Sequence, residues 1–183
     1  IASLEHGYKI LNLNPKEYEF TKSNRYSSDL IDQGLFMDLK IASGLYKYSN
    51  GDEQNNLILS IGPRIQYGQF KNKFLDYSLI SVLNEYTFKN SQSPFKFDNL
   101  NEDSRIIFDF KQQFYGPILL GFRSYLNIND SSNNYGEFQN STYSLGLSRR
   151  AYSANFAYRE NDGALLLEFK IFNFGYNNLS PEF

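Results

Sequence analysis

The chain has 183 residues and a formal net charge of −2, which is enough length for one ordinary domain. This charge gives no reason to expect nucleic acid as a partner, since such binders usually carry a basic stripe. Cysteine is absent, which excludes disulfides and thiolate metal sites in this sequence. No run of about 18 apolar residues occurs, which excludes a membrane-spanning helix. The sequence begins at Ile1 without a signal-peptide pattern, and we expect it to be a piece of a longer protein.

Aromatic residues make up 17% of the chain, all of them Phe and Tyr, yet the mean hydropathy is −0.51. A water-soluble protein rarely combines so many aromatic residues with so many Asn and Ser. A transmembrane β-barrel requires this mixture, because its outer face is apolar, its lumen and loops are polar, and its rims are aromatic.

Residues 1–33 are predicted to be an irregular lead-in, with at most a short strand at residues 8–13. From Gly34 onward, apolar and polar residues alternate with a period of two, which is typical of strands with two different faces. We therefore predict an all-β fold in which residues 34–176 form an antiparallel transmembrane β-barrel wall, an open curved sheet from a larger barrel, and residues 177–183 form a C-terminal tail. Several strands are long enough for a tilted membrane crossing of about 9–11 residues. The eight or so strands are predicted at residues 34–48, 57–70, 76–88, 105–114, 118–128, 141–149, 152–159 and 164–171.

The alternation assigns one side of each strand to lipid and the other to the lumen. In the last strand the lumen side carries Glu168 and Lys170. The residues predicted to face lipid are Leu165, Leu167, Phe169 and Ile171 in that strand, and Tyr143, Leu145 and Leu147 in the strand at 141–149.

The connections are predicted to alternate in length, as in outer-membrane barrels with short periplasmic turns and longer external loops. The compact turn at residues 160–163 is the exception. This order places the C-terminal end on the periplasmic side. Aromatic residues cluster at strand ends, the depth of interfacial girdles, although Phe and Tyr favour strands in general. The clusters are Tyr46 and Tyr48, Tyr67 and Phe70, Tyr86 and Phe88, Phe114 and Tyr115, and Phe172 and Phe174.

Residues that could perform catalysis are sparse. His6 is the sole histidine, and a surface role explains it better than a pairing with a serine in an outer-membrane lipase. No His, Asp or Glu group has metal-ligand spacing, and Asn101-Glu102-Asp103 and Asp130, which could meet a hard cation such as calcium, are of the kind that is usually just solvated. We therefore expect no enzymatic activity, no metal site and no cofactor. The polar faces carry charges of both signs, which weakens the case for a basic lumen.

Several segments, in their order and spacing, are similar to one known group of proteins. They are Phe74-Leu75-Asp76-Tyr77-Ser78, Ser93-Pro94-Phe95-Lys96-Phe97-Asp98, Tyr115-Gly116-Pro117-Ile118-Leu119-Leu120, Tyr135-Gly136-Glu137-Phe138-Gln139-Asn140-Ser141, Ser148-Arg149-Arg150-Ala151-Tyr152 and Phe172-Asn173-Phe174. Over about residues 34–176 the chain resembles the C-terminal part of an uncharacterised cyanobacterial outer-membrane barrel family related to LptD, the lipopolysaccharide-assembly protein. The resemblance implies a barrel of many more strands with a periplasmic domain upstream. It also implies a role in placing lipopolysaccharide or another lipid in the outer leaflet, with a plug or periplasmic bridge protein as a partner. It brings no catalytic residues.

Other interpretations stay open. The strands could close on themselves as a small porin-like or adhesion barrel, or form a soluble β-barrel or sandwich that binds an apolar ligand. In the soluble case the Leu and Phe faces would point inward. An outer-membrane enzyme is the weakest alternative, since it depends on His6 alone.

Overall fold

In the part of the chain that the structure describes, nine antiparallel strands make up one sheet. The computed structural model describes residues 2–14, 26, 30–48, 53–90, 104–149 and 151–171, and these ranges contain no helix. No part of them could therefore cross a membrane as a helix. The predicted tail at 177–183, the predicted girdle residues Phe172 and Phe174, and the segment Asn101-Glu102-Asp103 lie outside the described residues. The strands are β1 (Ala2–Asn12), β2 (Gly34–Lys47), β3 (Glu53–Tyr67), β4 (Ser78–Lys89), β5 (Ser104–Gln113), β6 (Ile118–Asn127), β7 (Phe138–Ser148), β8 (Tyr152–Arg159) and β9 (Ala164–Ile171).

Every strand pairs with its neighbour in the sequence, so the spatial order is β1 to β9 without a crossover. In the described residues, β1 and β9 each have a partner on one side only, and the sheet is open. The prediction of an all-β, open sheet is therefore confirmed. One edge was placed wrongly, however. We expected the strand at 34–48 to be an edge, but its Leu39 pairs with His6 on one side and with Ile61 on the other.

The strand missed by the sequence analysis is β1, which has 11 residues where at most a short strand at 8–13 was expected. Leu4, His6 and Tyr8 point to one side of β1, so the sequence does alternate with a period of two there. The alternation of apolar and polar residues is weak, because one position on the apolar side is a histidine. A β-bulge between Lys9 and Leu11 then shifts the register. Because a bulge adds a residue to one strand, the alternation breaks there and residues 8–13 no longer follow a simple pattern.

The connections lie at two ends of the sheet. Those at end A are residues 13–33, 68–77, 114–117 and 149–151, and those at end B are residues 48–52, 90–103, 128–137 and 160–163. The predicted alternation, with a long polar loop at 49–56 and a short turn at 71–73, is wrong at both of these places. The connection at 48–52 is short because β3 starts at Glu53, and the connection at 68–77 is long. The Asp76 carboxylate holds this long loop by accepting hydrogen bonds from the backbone N–H groups of Gln69 (3.0 Å) and Lys71 (2.9 Å).

The sheet is curved, because Tyr26 in the connection between β1 and β2 contacts residues beside both β3 and β7. The backbone N–H of Tyr26 donates to the carbonyl oxygen of Phe70 beyond β3 (2.8 Å), and its own carbonyl accepts from Ser148 Oγ at the end of β7 (3.3 Å). Strands four positions apart in a flat sheet would be separated by about 19 Å. The ends of β3 and β7 are therefore drawn toward each other at end A, with Tyr26 between them.

Candidate functional site

One side of the sheet is apolar from strand to strand. Cross-strand partners share a side, so the registers of the eight pairings define this apolar face. All seven residues predicted to face lipid lie on it, with 36% to 80% of their surface exposed. The strongly apolar members on the strands include Leu4, Leu35, Met37, Leu39, Ile41, Leu45, Leu57, Leu59, Ile61, Ile65, Ile80, Val82, Phe88, Ile106, Phe108, Phe110, Ile118, Leu120, Phe122, Leu126, Phe138, Tyr143, Leu145, Leu147, Phe156, Leu165, Leu167, Phe169 and Ile171.

Charged side chains are confined to one margin of the apolar face. Among the described strand residues on this face, the only Lys, Arg, Asp or Glu are Lys47 and Glu53, at end B. They are direct cross-strand partners, and Lys47 Nζ lies 2.8 Å from Glu53 Oε1. The middle of the face therefore carries no ionised group.

Large apolar side chains are exposed along the apolar face, while several polar side chains are buried. The largest fully buried side chains are polar, namely Gln113, Asn127 and Ser124, whereas Leu167 is 80% exposed. Soluble monomers rarely expose contiguous apolar patches larger than a few hundred Å². A continuous apolar face over nine strands is thus a surface for contact with something apolar.

The opposite side, here called the polar face, carries paired charges. Arg64 Nε and Nη2 donate to the two Asp38 carboxylate oxygens at 2.7 and 3.1 Å, and Arg64 Nη1 donates to Gln66 Oε1 at 2.7 Å. The guanidinium also lies 4.3 Å from the centre of the Phe36 ring. Asp38 is 6% exposed, so this fork-to-carboxylate pair neutralises a buried charge.

A second ion pair lies further along the same face toward end B. Arg105 Nη2 lies 2.5 Å from Glu85 Oε1, and Ser60 Oγ donates to Glu85 Oε2 at 2.9 Å. The Arg105 guanidinium also covers the Tyr125 ring at 4.5 Å. Because the two carboxylates each have an arginine, this part of the polar face presents no net basic surface to an anion.

At end A the polar face is closed by a hydrogen-bonded cap. Gln113, with no exposed surface, donates through Nε2 to the carbonyl oxygens of Lys71 (2.5 Å) and Gly116 (2.7 Å) and accepts from the Tyr77 backbone N–H (3.1 Å). Burial raises the pKa of the Tyr77 phenol to about 12. Phe70 packs on Tyr77 with ring centres 5.7 Å apart. It was expected in an exposed aromatic girdle and is buried instead, because the loop after β3 folds inward.

The first connection is tied to β1 by an acidic residue. Asp32 accepts from the Lys9 ammonium and, at 2.7 Å, from Asn14 Nδ2. These hydrogen bonds lower the pKa of the Asp32 carboxyl below its usual value, and the one from Lys9 has the larger effect. The contact fixes the last part of this connection against the edge strand.

Comparison with known proteins assigns the chain to a family. The family described as "Protein of unknown function (DUF3769)" matches residues 1–175. The chain belongs to the DUF3769 family. No curated protein and no solved structure matches it. The relation to LptD and the cyanobacterial origin implied by the resemblance are not part of this match, so both stay expectations for this DUF3769 chain.

The residue of the DUF3769 chain on which an enzymatic interpretation depended is His6. His6 lies on the apolar face of β1, where its ring packs edge-on against Tyr8 with centres 4.4 Å apart. No group of three or more His, Asp or Glu side chains in the described ranges could hold a metal ion. What the arrangement provides is a large apolar surface, a polar face with paired charges and a capped end.

Sequence reasoning missed one local feature of the DUF3769 chain, which lies at end B. Between Arg123 and Tyr125 of β6 the register with β7 shifts, and Asn140 takes the left-handed conformation with φ of 52°. The two serines beside this bulge, Ser124 and Ser141, are buried and share a hydrogen bond of 2.9 Å. The Asn-Ser pair was a weak signal in the sequence, since Asn tolerates this conformation better than most residues.

Proposed function

We propose that this DUF3769 chain forms part of the wall of a β-barrel in the cell outer membrane, with its apolar face against lipid acyl chains. The observation that carries the proposal is the continuous exposed apolar face, which lacks charges in its middle. In the hydrocarbon region a charge on a lipid-facing strand costs about 2–4 kcal/mol for Arg or Lys, whereas Leu and Phe have no such penalty. The alternatives, a soluble barrel or sandwich around an apolar ligand, would turn this face inward.

The open edges support a larger barrel. In the described residues β1 and β9 each leave one row of backbone N–H and C=O groups without a strand partner. An unsatisfied backbone group costs several kcal/mol in hydrocarbon, so open sheet edges do not face lipid. We therefore propose that further strands of the same barrel cover both edges. A small porin-like or adhesion barrel is the alternative, and there β1 would pair with β9.

The specific role comes from the resemblance to LptD-like barrels. We propose that the barrel helps to place lipopolysaccharide or another lipid in the outer leaflet, together with a plug or periplasmic bridge protein. No catalytic step and no cofactor belongs to this proposal. Depleting the protein in its host and measuring labelled lipopolysaccharide at the cell surface tests the role. An unchanged surface level after depletion would argue against it.

Spin labels on β9 test the orientation directly. The chain has no cysteine, so single cysteines can be placed at Leu165 and Leu167 on the apolar face and at Leu166 and Glu168 on the polar face of the full-length protein in lipid vesicles. Any cysteine elsewhere in the protein would be replaced by serine. We expect labels at Leu165 and Leu167 to collide mainly with oxygen, which concentrates in lipid, and the other two mainly with a water-soluble nickel chelate.

Leu166 is the discriminating position of this experiment. It is apolar by chemistry but belongs to the polar face, since it pairs with Ala157. A label there separates the effect of the face from the effect of the residue type. If the label at Leu166 behaved like the one at Leu167, or if Leu165 and Leu167 were reached mainly by nickel, the proposed orientation would be wrong.

A further inference from the structure

A notch interrupts the sheet at end B, between β7 and β9. The first pair between β7 and β8 is Thr142 with Arg159, so the start of β7 at Phe138 projects beyond the end of β8. The connection at 128–137 lies on one side of this projection, and the turn at 160–163 lies on the other. The bulge at Asn140 re-aims the side chains of the projecting segment, which is a common use of bulges next to binding sites.

The apolar face forms a groove beside this projection. Its volume is about 440 Å³. Two aromatic pairs contribute its rings, Phe108 with Phe138 at 5.9 Å between centres and Phe122 with Tyr143 at 5.3 Å. The buried Ser141 also lines it, with its hydroxyl engaged by Ser124, and Ser81, Asp109 and Glu160 supply the rest of the polar lining.

A polar pocket of about 730 Å³ adjoins the groove and shares Phe138, Ser141 and Glu160 with it. The side chains that line it are amides, hydroxyls and two carboxylates, apart from the shared Phe138. No Lys or Arg is among the described residues that line this pocket. The lining consists of Ser132, Asn133, Asn134, Glu137, Gln139 and Asn140, together with Asn161 and the shared residues.

We propose that the notch binds one lipid with an uncharged sugar headgroup, its acyl chain in the groove and its sugar in the polar pocket. Both volumes lie in the usual range for small-molecule sites. Amide and carboxylate groups can donate to or accept from sugar hydroxyls, whereas a phosphate is held by Arg or Lys and is repelled by carboxylates. The pocket chemistry therefore selects a glycolipid over a phospholipid. This proposal rests on the proposed function, since it requires the groove to open into the membrane.

Competition between two lipids tests the headgroup. Full-length protein in detergent, stripped of lipid, is incubated with equal amounts of monoglucosyl diacylglycerol and phosphatidylglycerol that carry identical acyl chains, and the lipid retained is measured by native mass spectrometry. We expect the glycolipid to be retained in excess. The double variant Asn133→Ala/Asn161→Ala should reduce that excess roughly tenfold through the loss of two hydrogen bonds. Ser131→Ala, in the same connection but outside the pocket, should leave it unchanged.

A second pair of variants tests the groove. Val82→Phe fills the groove and should reduce retention of both lipids, while Ile41→Phe, the matched change elsewhere on the apolar face, should not. Heat-modifiable gel mobility checks that both variants fold. Equal retention of the two lipids, a preference for phosphatidylglycerol, or identical behaviour of the two variants would overturn the proposal. If those results were obtained while the spin labels at Leu165 and Leu167 of β9 collided mainly with oxygen, the glycolipid site would be wrong and the membrane orientation would stand. If those labels collided mainly with the nickel chelate, the proposed function itself would be wrong.

Discussion

Arginine at Leu167 tests the apolar face at its most exposed large hydrophobic residue among those that the structure describes. Leu167 lies near the middle of β9 and is 80% exposed on the apolar face, where it pairs with Phe156. An arginine at mid-bilayer on a lipid-facing strand costs about 2–4 kcal/mol. With about 1.4 kcal/mol for each factor of ten, Leu167→Arg should lower the folding equilibrium constant in vesicles by about 30-fold to 1,000-fold.

The neighbouring residue provides the matched control. Glu168 lies on the polar face, and its carboxylate is 3.0 Å from Lys170 Nζ, with both side chains more than half exposed. Glu168→Arg therefore loses an exposed ion pair worth about 0–1 kcal/mol and buries no charge in hydrocarbon. We expect the two arginine variants to differ by at least about 1 kcal/mol, the difference between these two ranges.

The assay is refolding of the full-length variants from urea into lipid vesicles, with the folded fraction read from heat-modifiable gel mobility and from urea titration. The test asks which of the two variants has the larger loss of folding free energy, and it depends less on the absolute size of either loss. Equal destabilisation by Leu167→Arg and Glu168→Arg, or a larger effect at Glu168, would refute the assignment of the faces in β9.

Three further predictions concern the interior of the sheet. Arg64→Met leaves the buried Asp38 carboxylate unpaired and should destabilise the protein by about 3–5 kcal/mol in urea titration, and adding Asp38→Ala should recover part of this loss. Gln113→Leu removes the side-chain hydrogen bonds of Gln113 to the backbone of Lys71, Gly116 and Tyr77 and should lower stability by about 1–3 kcal/mol, with faster amide exchange in the loop that it holds. Gly62→Ala should disrupt folding in vesicles, because a Cβ there would lie 2.0 Å from a backbone oxygen of β4. Gly146→Ala should be tolerated, since its nearest contact would be 3.5 Å away. Similar behaviour of the two alanine variants would contradict the close approach of β3 and β4.

The sequence was enough to predict the strands from Gly34 onward. A strand with one apolar and one polar side has a period of two in its own residues, which can be recognised without knowing which strand it pairs with. The same pattern placed Tyr143 and Leu167 on one side before any register was known. It failed at β1, where a bulge breaks the alternation. It also failed for the loop at 68–77, where Asp76 and Gly68 stabilise a longer connection than the turn residues suggested.

The paired charges and the notch could not be read from the sequence for a different reason. Asp38 and Arg64 both fall on the polar side of the alternation, but which carboxylate meets which guanidinium depends on the register between β2 and β3. A shift of the register by two residues would keep every side chain on its face and change every pair. The notch likewise depends on how far β7 extends past β8, a difference in length that leaves no local pattern.

The contact between Tyr26 and Ser148 joins residues 122 positions apart in the chain. All the strand pairings, by contrast, link neighbours in sequence, so the sheet has low contact order and can grow hairpin by hairpin. The Tyr26 contact cannot form before β7 is in place, because Ser148 is the last residue of that strand. Its formation therefore follows the nucleation of the sheet, and a probe at Tyr26 would time the arrival of β7.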